Sequence, residues 1–371
     1  MVTSQWHSAE NIDMPTGTDS DLVLFFGNPN ELSVDFARLL QTHYPNAAVV
    51  GCSAWGHFLG DRVYTNGCGV TAIDLGSGAA ISESISLAPD GRRTASQIAR
   101  SLHAHGEPQG ILVLWNELHG SAEHFVLELR QALGDSCMIF GGLASDDLSF
   151  DRIAVYAGGE EVAGVAVGLY GDTLGLCSGC RSGFAAHGRI HNITRSDGPK
   201  VLEIDGQPAL DVLCEHLGPE AENLPHSGMH FPLQLLTESG EIGLLRSLTE
   251  VDHKAKSFTC AGLVPEGSVR LLTFTEPEDL FDGARRAAEE AANTCTPGLA
   301  LVVSCTGRRS LLGPLSDIEL DYVANALGAG TPSTGFYAGG EIATLPATQQ
   351  SELHNQSIAV TSLFLPNAWT S

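Results

Sequence analysis

Basic residues are scarce in this chain: 19 lysines and arginines face 44 aspartates and glutamates, for a formal net charge of −25 over 371 residues. A phosphate backbone would repel such a surface, which argues against nucleic acid as a partner. An anionic membrane surface is disfavoured for the same reason. No uninterrupted apolar stretch approaches the roughly 18 residues that begin to span a bilayer, so membrane insertion is not expected. The first residues, MVTSQWHSAENIDMPTGTDS, lack a basic segment followed by an apolar core. They read as a flexible arm over 1–19 and not as a signal peptide. Walker, GxGxxG, GxSxG, HExxH and CxxCH motifs are all missing, which disfavours a nucleotide enzyme and covalently attached haem. The nine cysteines are odd in number and follow no framework spacing, which suits a reducing cytoplasm.

What is present is a core-forming composition, 43% apolar, and a pattern that occurs three times. The first copy is LVLFFGN (22–28), a helix over 31–43, NAAVVGCSAWG (46–56) and GVTAIDL (69–75). The second is ILVLWNE (111–117), a helix over 121–133, CMIFGGLAS (137–145) and GVAVGLY (164–170). The third is LALVVSC (299–305), a helix over 316–327, STGFYAGGE (333–341) and SIAVTSL (357–363). The helices follow from apolar spacing: Leu32, Phe36, Leu39 and Leu40; Phe125, Val126, Leu129 and Leu133; Ile318, Tyr322, Val323 and Ala326. The strands are continuous apolar runs, which suits burial on both faces. The fold class expected is α/β: two mixed-sheet α/β domains, 20–216 and 217–366, built from related strand-helix-strand units. GPEAENLPHSGMHFP (218–232) reads as a linker or a domain-spanning loop.

Candidate chemistry gathers at strand ends, where open α/β sheets bind ligands. The turn after the 299–304 strand holds Cys305, Thr306, Gly307, Arg308 and Arg309, and the following unit strand ends near Glu341. A thiol, two guanidinium groups and a carboxylate are therefore expected around one crevice. Arg308 would hold an anionic group through paired hydrogen bonds, and Glu341 would take a cation or fix Arg308. GCSAWG adds Cys52 and Ser53, and LHNQS adds His354, Asn355 and Gln356. The ligand-binding set is thus Cys52, Ser53, Cys305, Arg308, Glu341 and Asn355, with no catalytic or metal residue assigned. FGGLASDD, with Asp146 and Asp147, reads first as a plain turn. Cys177, Cys180, His187 and His191 form a two-cysteine, two-histidine set, but their central spacing is too short for a zinc finger.

Taken in order, VVGCSAWG, FGGLASDD, SGCRSG, LEIDGQPAL, FPL at 231–233, GLVPEG, VSCTGR, GFYAGGEI and HNQS resemble FIST-domain proteins over nearly the whole chain. That family is sensory and occurs in bacterial signal transduction and in F-box proteins. The resemblance implies an N-terminal and a C-terminal FIST domain and a small-ligand sensor without catalysis. It also implies amino-acid-like or anionic ligands and a signalling partner protein such as a histidine kinase. Some family members are haem proteins that sense nitric oxide, so haem enters as an alternative cofactor, with no ligating residue carried over. The sequence departs from the family pattern at His57, Gly339 and Ser182. A third reading, from the residues themselves, is a thiol-dependent enzyme using Cys305 or Cys52, with His354 as the base.

Overall fold

The computed structural model describes residues 2–7, 19–88, 92–134, 137–184, 189–236, 242–271, 275–293, 297–328, 330–345 and 350–364. Three six-stranded mixed sheets share one architecture, and each corresponds to one sequence unit. In the first, Leu22–Gly27 and Ala48–Ser53 pair in parallel across the helix Val34–His43. In the second, Gly110–Trp115 and Met138–Leu143 pair in parallel across Ala122–Leu133. In the third, Leu299–Cys305 and Ser333–Ala338 do so across Ser316–Leu327. On the other side of each first strand lies an antiparallel neighbour: Cys68–Ile73, Gly164–Tyr170 or Ile358–Phe364. Each neighbour carries an outer antiparallel strand: Val2–His7, Ala79–Ile85 or Gly175–Arg181. Residues 2–7, expected to be part of a flexible arm, are therefore a paired strand. Residues 8–18 lie outside the described residues.

The remaining edge of each sheet is covered by a hairpin from a different unit. Hairpin 57–64, from the first unit, pairs with Ser333–Ala338 of the third. Hairpin 155–162, from the second, pairs with Ala48–Ser53 of the first. Hairpin 341–354, from the third, pairs with Met138–Leu143 of the second. The exchange closes a ring within one chain and covers the free edge of each inner unit strand, leaving a short hairpin strand (Glu160–Val162, Gln350–His354 or Arg62–Tyr64) as the outer edge.

The inward faces of the three sheets meet in one core that includes Leu24, Phe26, Leu112, Phe140, Leu301 and Phe336. Phe26 and Phe336 stack across the first and third units with centroids 4.5 Å apart. Helices cover the outward faces, so the unit strands are buried on both sides, as their apolar runs predict. Two helix faces differ from the sequence reading. Leu39 is exposed while Ala37 and Leu40 are buried. On Ser316–Leu327 the sheet side is Leu320, Val323 and Leu327, whereas Ile318 and Tyr322 face outward. Tyr322 instead stacks on Phe281 of the neighbouring helix Pro277–Ala291. A helix with apolar residues on more than one side does not reveal from spacing alone which side meets the sheet.

A separate eight-stranded antiparallel sheet, residues 190–271, is inserted between Gly175–Arg181 and the helix Pro277–Ala291. Its core includes Ile193, Val201, Leu213, Leu233, Phe258 and Val269. The boundary expected at 216/217 falls inside this sheet's span. Residues 218–232 connect two parts of it through short 3-10 turns, with Leu224 and Phe231 packed on its core.

Candidate functional site

A cavity of about 750 Å³ lies where the second unit, the third unit and the inserted sheet meet. The second unit contributes Glu117 and Leu118 beyond Gly110–Trp115, the start of its helix and much of the loop 143–153. The third contributes Cys305, Thr306, Gly307, Ser310, Gly339, Leu353, Asn355 and Gln356. The inserted sheet contributes Met229, Ser247, Leu248 and 260–263. The position agrees with ligand binding beyond the carboxyl ends of parallel strands.

The residues proposed from sequence do not gather in one crevice. Cys305 and Asn355 line the cavity. Cys52 is fully buried in the central core. Ser53 is a joint between units: its hydroxyl donates to the Ser145 carbonyl at 3.0 Å and accepts from the Ala154 N–H at 3.0 Å. The segment after Cys305 is a short helix, Thr306–Leu312, and not an open turn, so it turns its two arginines away from Cys305. Arg308 is fully buried, with Nε 2.8 Å and Nη2 2.5 Å from Glu319 Oε1, and it also donates to the carbonyls of Leu280 and Ser182. Its donors are engaged within the protein, which corrects the expectation that it grips an anionic ligand. Arg309 lies 4.9 Å from the ring centroids of both Trp55 and Tyr337.

Glu341 is buried behind Cys305 and is not part of the cavity wall. One of its oxygens accepts from the Ser357 N–H at 3.1 Å and the Ser357 hydroxyl at 2.6 Å. Burial raises its pKa to about 8, against the lowering pull of the Ser357 hydrogen bonds. Burial first, and the adjoining Glu341 second, push the Cys305 thiol far above its ordinary range. A reactive thiol needs the reverse. His354, the base proposed for a thiol enzyme, does not line the cavity, and burial lowers its pKa to about 4. The Cys305 reading therefore loses both its nucleophile and its base, and buried Cys52 is likewise shifted upward by desolvation.

Several cavity residues were not assigned from sequence. Asp146 organises the loop over the opening: it accepts from the N–H groups of Phe150 at 3.1 Å, Asp151 at 2.8 Å and Arg152 at 3.3 Å, and from the Ser149 hydroxyl at 3.0 Å. Leu148 and Phe150 take positive φ there, +71° and +57°. Phe150 and Leu118 remain exposed beside the opening. Glu123 and Arg246 join the inserted sheet to the second unit, with Arg246 Nη2 donating to Glu123 at 2.7 Å. Arg246 also donates to the carbonyls of Leu263 and Leu353, and Glu123 accepts from the Leu263 N–H at 2.6 Å. Gln356, at φ +57°, donates to the Met229 carbonyl at 2.7 Å and to Ser247 Oγ at 3.1 Å. A Cβ at Gly307 would lie 2.4 Å from the Gln356 amide nitrogen, so that position needs glycine. The signal for Gln356 was in LHNQS: a polar triplet before a buried strand must find partners.

The lining of the cavity bears on whether it could hold haem. His124, His226, Met229 and Cys305 are residues of axial-ligand type. Both histidines are exposed, and the Cys305 thiol is held protonated. No lysine or arginine lines the cavity among the described residues, whereas Glu117, Glu123, Asp146 and Asp147 do, so propionates would face carboxylates. The donor set does not fit a resident haem. His57 also offers no site: it is fully buried against Tyr64, with burial lowering its pKa to about 3. Among the described residues, no cluster of three or more histidine, cysteine, aspartate or glutamate side chains could hold a metal ion, and His187 of the two-cysteine, two-histidine set lies outside them.

Comparison with known proteins gives one clear relationship. Residues 21–207 match the FIST N domain and residues 209–344 match the FIST C domain. No curated protein matches the chain. Among solved structures, a chorismatase determined at 1.08 Å resolution aligns over 98% of both chains, at 11% identity and a TM-score of 0.35, too loose a likeness to say anything of activity. FIST domains are associated with sensory signal transduction and ligand binding. With its two matches together covering nearly the full length, the chain belongs to the FIST family.

Proposed function

We propose that the protein is a sensor that binds a small ligand in the cavity at the junction of the second unit, the third unit and the inserted sheet, and relays occupancy to a partner protein. The observation that carries this reading is the position of the cavity. A ligand there contacts three separately built parts at once. Only a ligand that interacts differently with two arrangements of those parts can shift their balance. Arg246 and Gln356 already bridge them, so a change at the cavity reaches the inserted sheet through direct hydrogen bonds. The free cysteines suit a reducing, cytoplasmic setting. No helix among the described residues is long and apolar enough to cross a membrane.

Gly339 gives the test. It lines the cavity, its φ is not in the left-handed region, and a Cβ there meets only the Ala144 carbonyl at 3.3 Å and Leu143 Cβ at 3.6 Å. Gly339→Leu should fold with a melting temperature near the parent's and lose any small molecule that co-purifies with the parent, as read by native mass spectrometry. A Gly339→Leu protein that keeps the same bound molecule would sink the proposal.

A further inference from the structure

One wall of the cavity offers hydroxyls that the protein leaves unused. Thr306 and Ser310 stand four residues apart on the helix Thr306–Leu312, so they share a face, and both line the cavity. Thr306 is only 5% exposed. Neither hydroxyl has a hydrogen-bond partner among the described residues, and neither is among the polar atoms shut off from water. The side-chain oxygens of Asn355 and Gln356, in contrast, are shut off and do not open on the cavity. A nearly buried hydroxyl that faces open space is ready to bond a ligand group, as donor or as acceptor.

The charges around the cavity favour neither kind of ion. An anion would find no lysine or arginine in the lining among the described residues, and an unpaired buried charge is costly. A cation fares little better. Glu123 is already paired with Arg246, and Asp146 is saturated by its own loop. Glu117 and Asp147 are exposed at the rim, where an ion pair in water is worth little. The rest of the wall is apolar, with Leu143, Ile153, Leu248 and Leu263 among its residues. Leu118 and Phe150, 59% and 60% exposed, are the most exposed large apolar side chains among the described residues, and both sit at this opening. Covering an apolar ligand body would take both out of water.

We infer that the cavity takes an uncharged ligand with an apolar body and one polar end of the alcohol, ketone or amide class. Thr306 and Ser310 hydrogen-bond the polar end, and the apolar body packs on the leucines beneath Leu118 and Phe150. Hydroxyls donate and accept, so they serve each of these end groups. This inference rests on the cavity being the sensory site. It departs from the sequence expectation of an amino-acid-like or anionic ligand, because the arginine that would have held a carboxylate is tied to Glu319.

The experiment uses the full chain and four probes of similar size: 3-phenylpropan-1-ol, propylbenzene, 3-phenylpropionate and 3-phenylpropylamine. Binding is read by saturation-transfer NMR and titration. The alcohol should bind about tenfold or more tighter than either ion. Thr306→Val deletes the hydroxyl and keeps the shape. Since that hydroxyl bonds nothing in the protein, the variant should melt with the parent. It should weaken the alcohol about fivefold and leave propylbenzene unchanged. Ser310→Ala should act in the same direction, and it serves if the valine variant fails to fold. An acid or amine that binds as tightly as the alcohol overturns this inference, as does an alcohol affinity that neither variant changes. If no probe binds, the inference also falls, and the sensory site then stands or falls with Gly339→Leu and the co-purifying molecule.

Discussion

Arg308 and Glu319 form a fully buried ion pair, with guanidinium Nε and Nη2 both on one carboxylate oxygen at 2.8 and 2.5 Å. The pair holds the short helix Thr306–Leu312 against the helix Ser316–Leu327, and Ser304 Oγ donates to the other Glu319 oxygen at 2.8 Å. Removing one partner strands a buried charge, which costs about 3–5 kcal/mol. Arg308→Ala and Glu319→Ala should each lower stability by that amount in urea denaturation. Ligand affinity per folded molecule should stay at the parent value, and a selective loss of binding at full stability would return Arg308 to the site.

Glu341 sets a pH dependence. Its carboxyl is raised in the folded state from an ordinary 4.5 to about 8, so the native protein binds a proton that the unfolded chain releases. Its contribution is favourable below about pH 4.5 and is lost progressively as pH rises towards about 8. Glu341→Gln mimics the protonated form and keeps an acceptor for Ser357. The variant should lose less stability than the parent between pH 5 and pH 8.5, measured as the denaturation midpoint. Parallel curves for the two proteins would contradict the assignment.

Cys305 lines the cavity yet should be chemically quiet. Burial and the Glu341 carboxyl both oppose the thiolate. Mass-spectrometric mapping after iodoacetamide at pH 8 should find Cys177 and Cys214, which are partly exposed, modified well before Cys305. In urea the three should react at similar rates. Early labelling of Cys305 in the native protein would revive the thiol-enzyme reading.

Asp146 should control the opening of the cavity. Asp146→Ala removes the acceptor for three backbone N–H groups and a hydroxyl, at a cost of about 1–3 kcal/mol. The loss should appear locally, as faster hydrogen exchange and proteolysis over 146–153, with the three sheets still protected. Unchanged exchange in that loop would show that its shape is held by something else.

The three units were legible because each strand is a continuous apolar run and each unit helix has a spaced apolar face. The ring they close was not. Hairpin His57–Tyr64 is short, half polar, and pairs with Thr334–Phe336, far along the chain; no local period encodes a partner at that distance. The site was half legible for a related reason. Cys52 and Cys305 both stand at the ends of buried unit strands, but one faces the central core and the other the cavity. That difference depends on which sheets converge, and the inserted sheet covers only one of the junctions. Arg308 was misplaced because a short helix, read as a turn, changes where its side chain points. Glu123 and Arg246 were missed because their partners come from different structural parts.

The exchanged hairpins also dictate an order of events at synthesis. Strand Met138–Leu143 emerges with the first half of the chain, but the hairpin that covers its edge, Glu341–His354, is among the last described segments to be made. The nascent first half carries an open strand edge until residues 341–354 have been made, a state exposed to pairing with another copy or to capture by a chaperone. Neither half is then a self-sufficient folding unit, and the native ring is secured by the hairpin Glu341–His354.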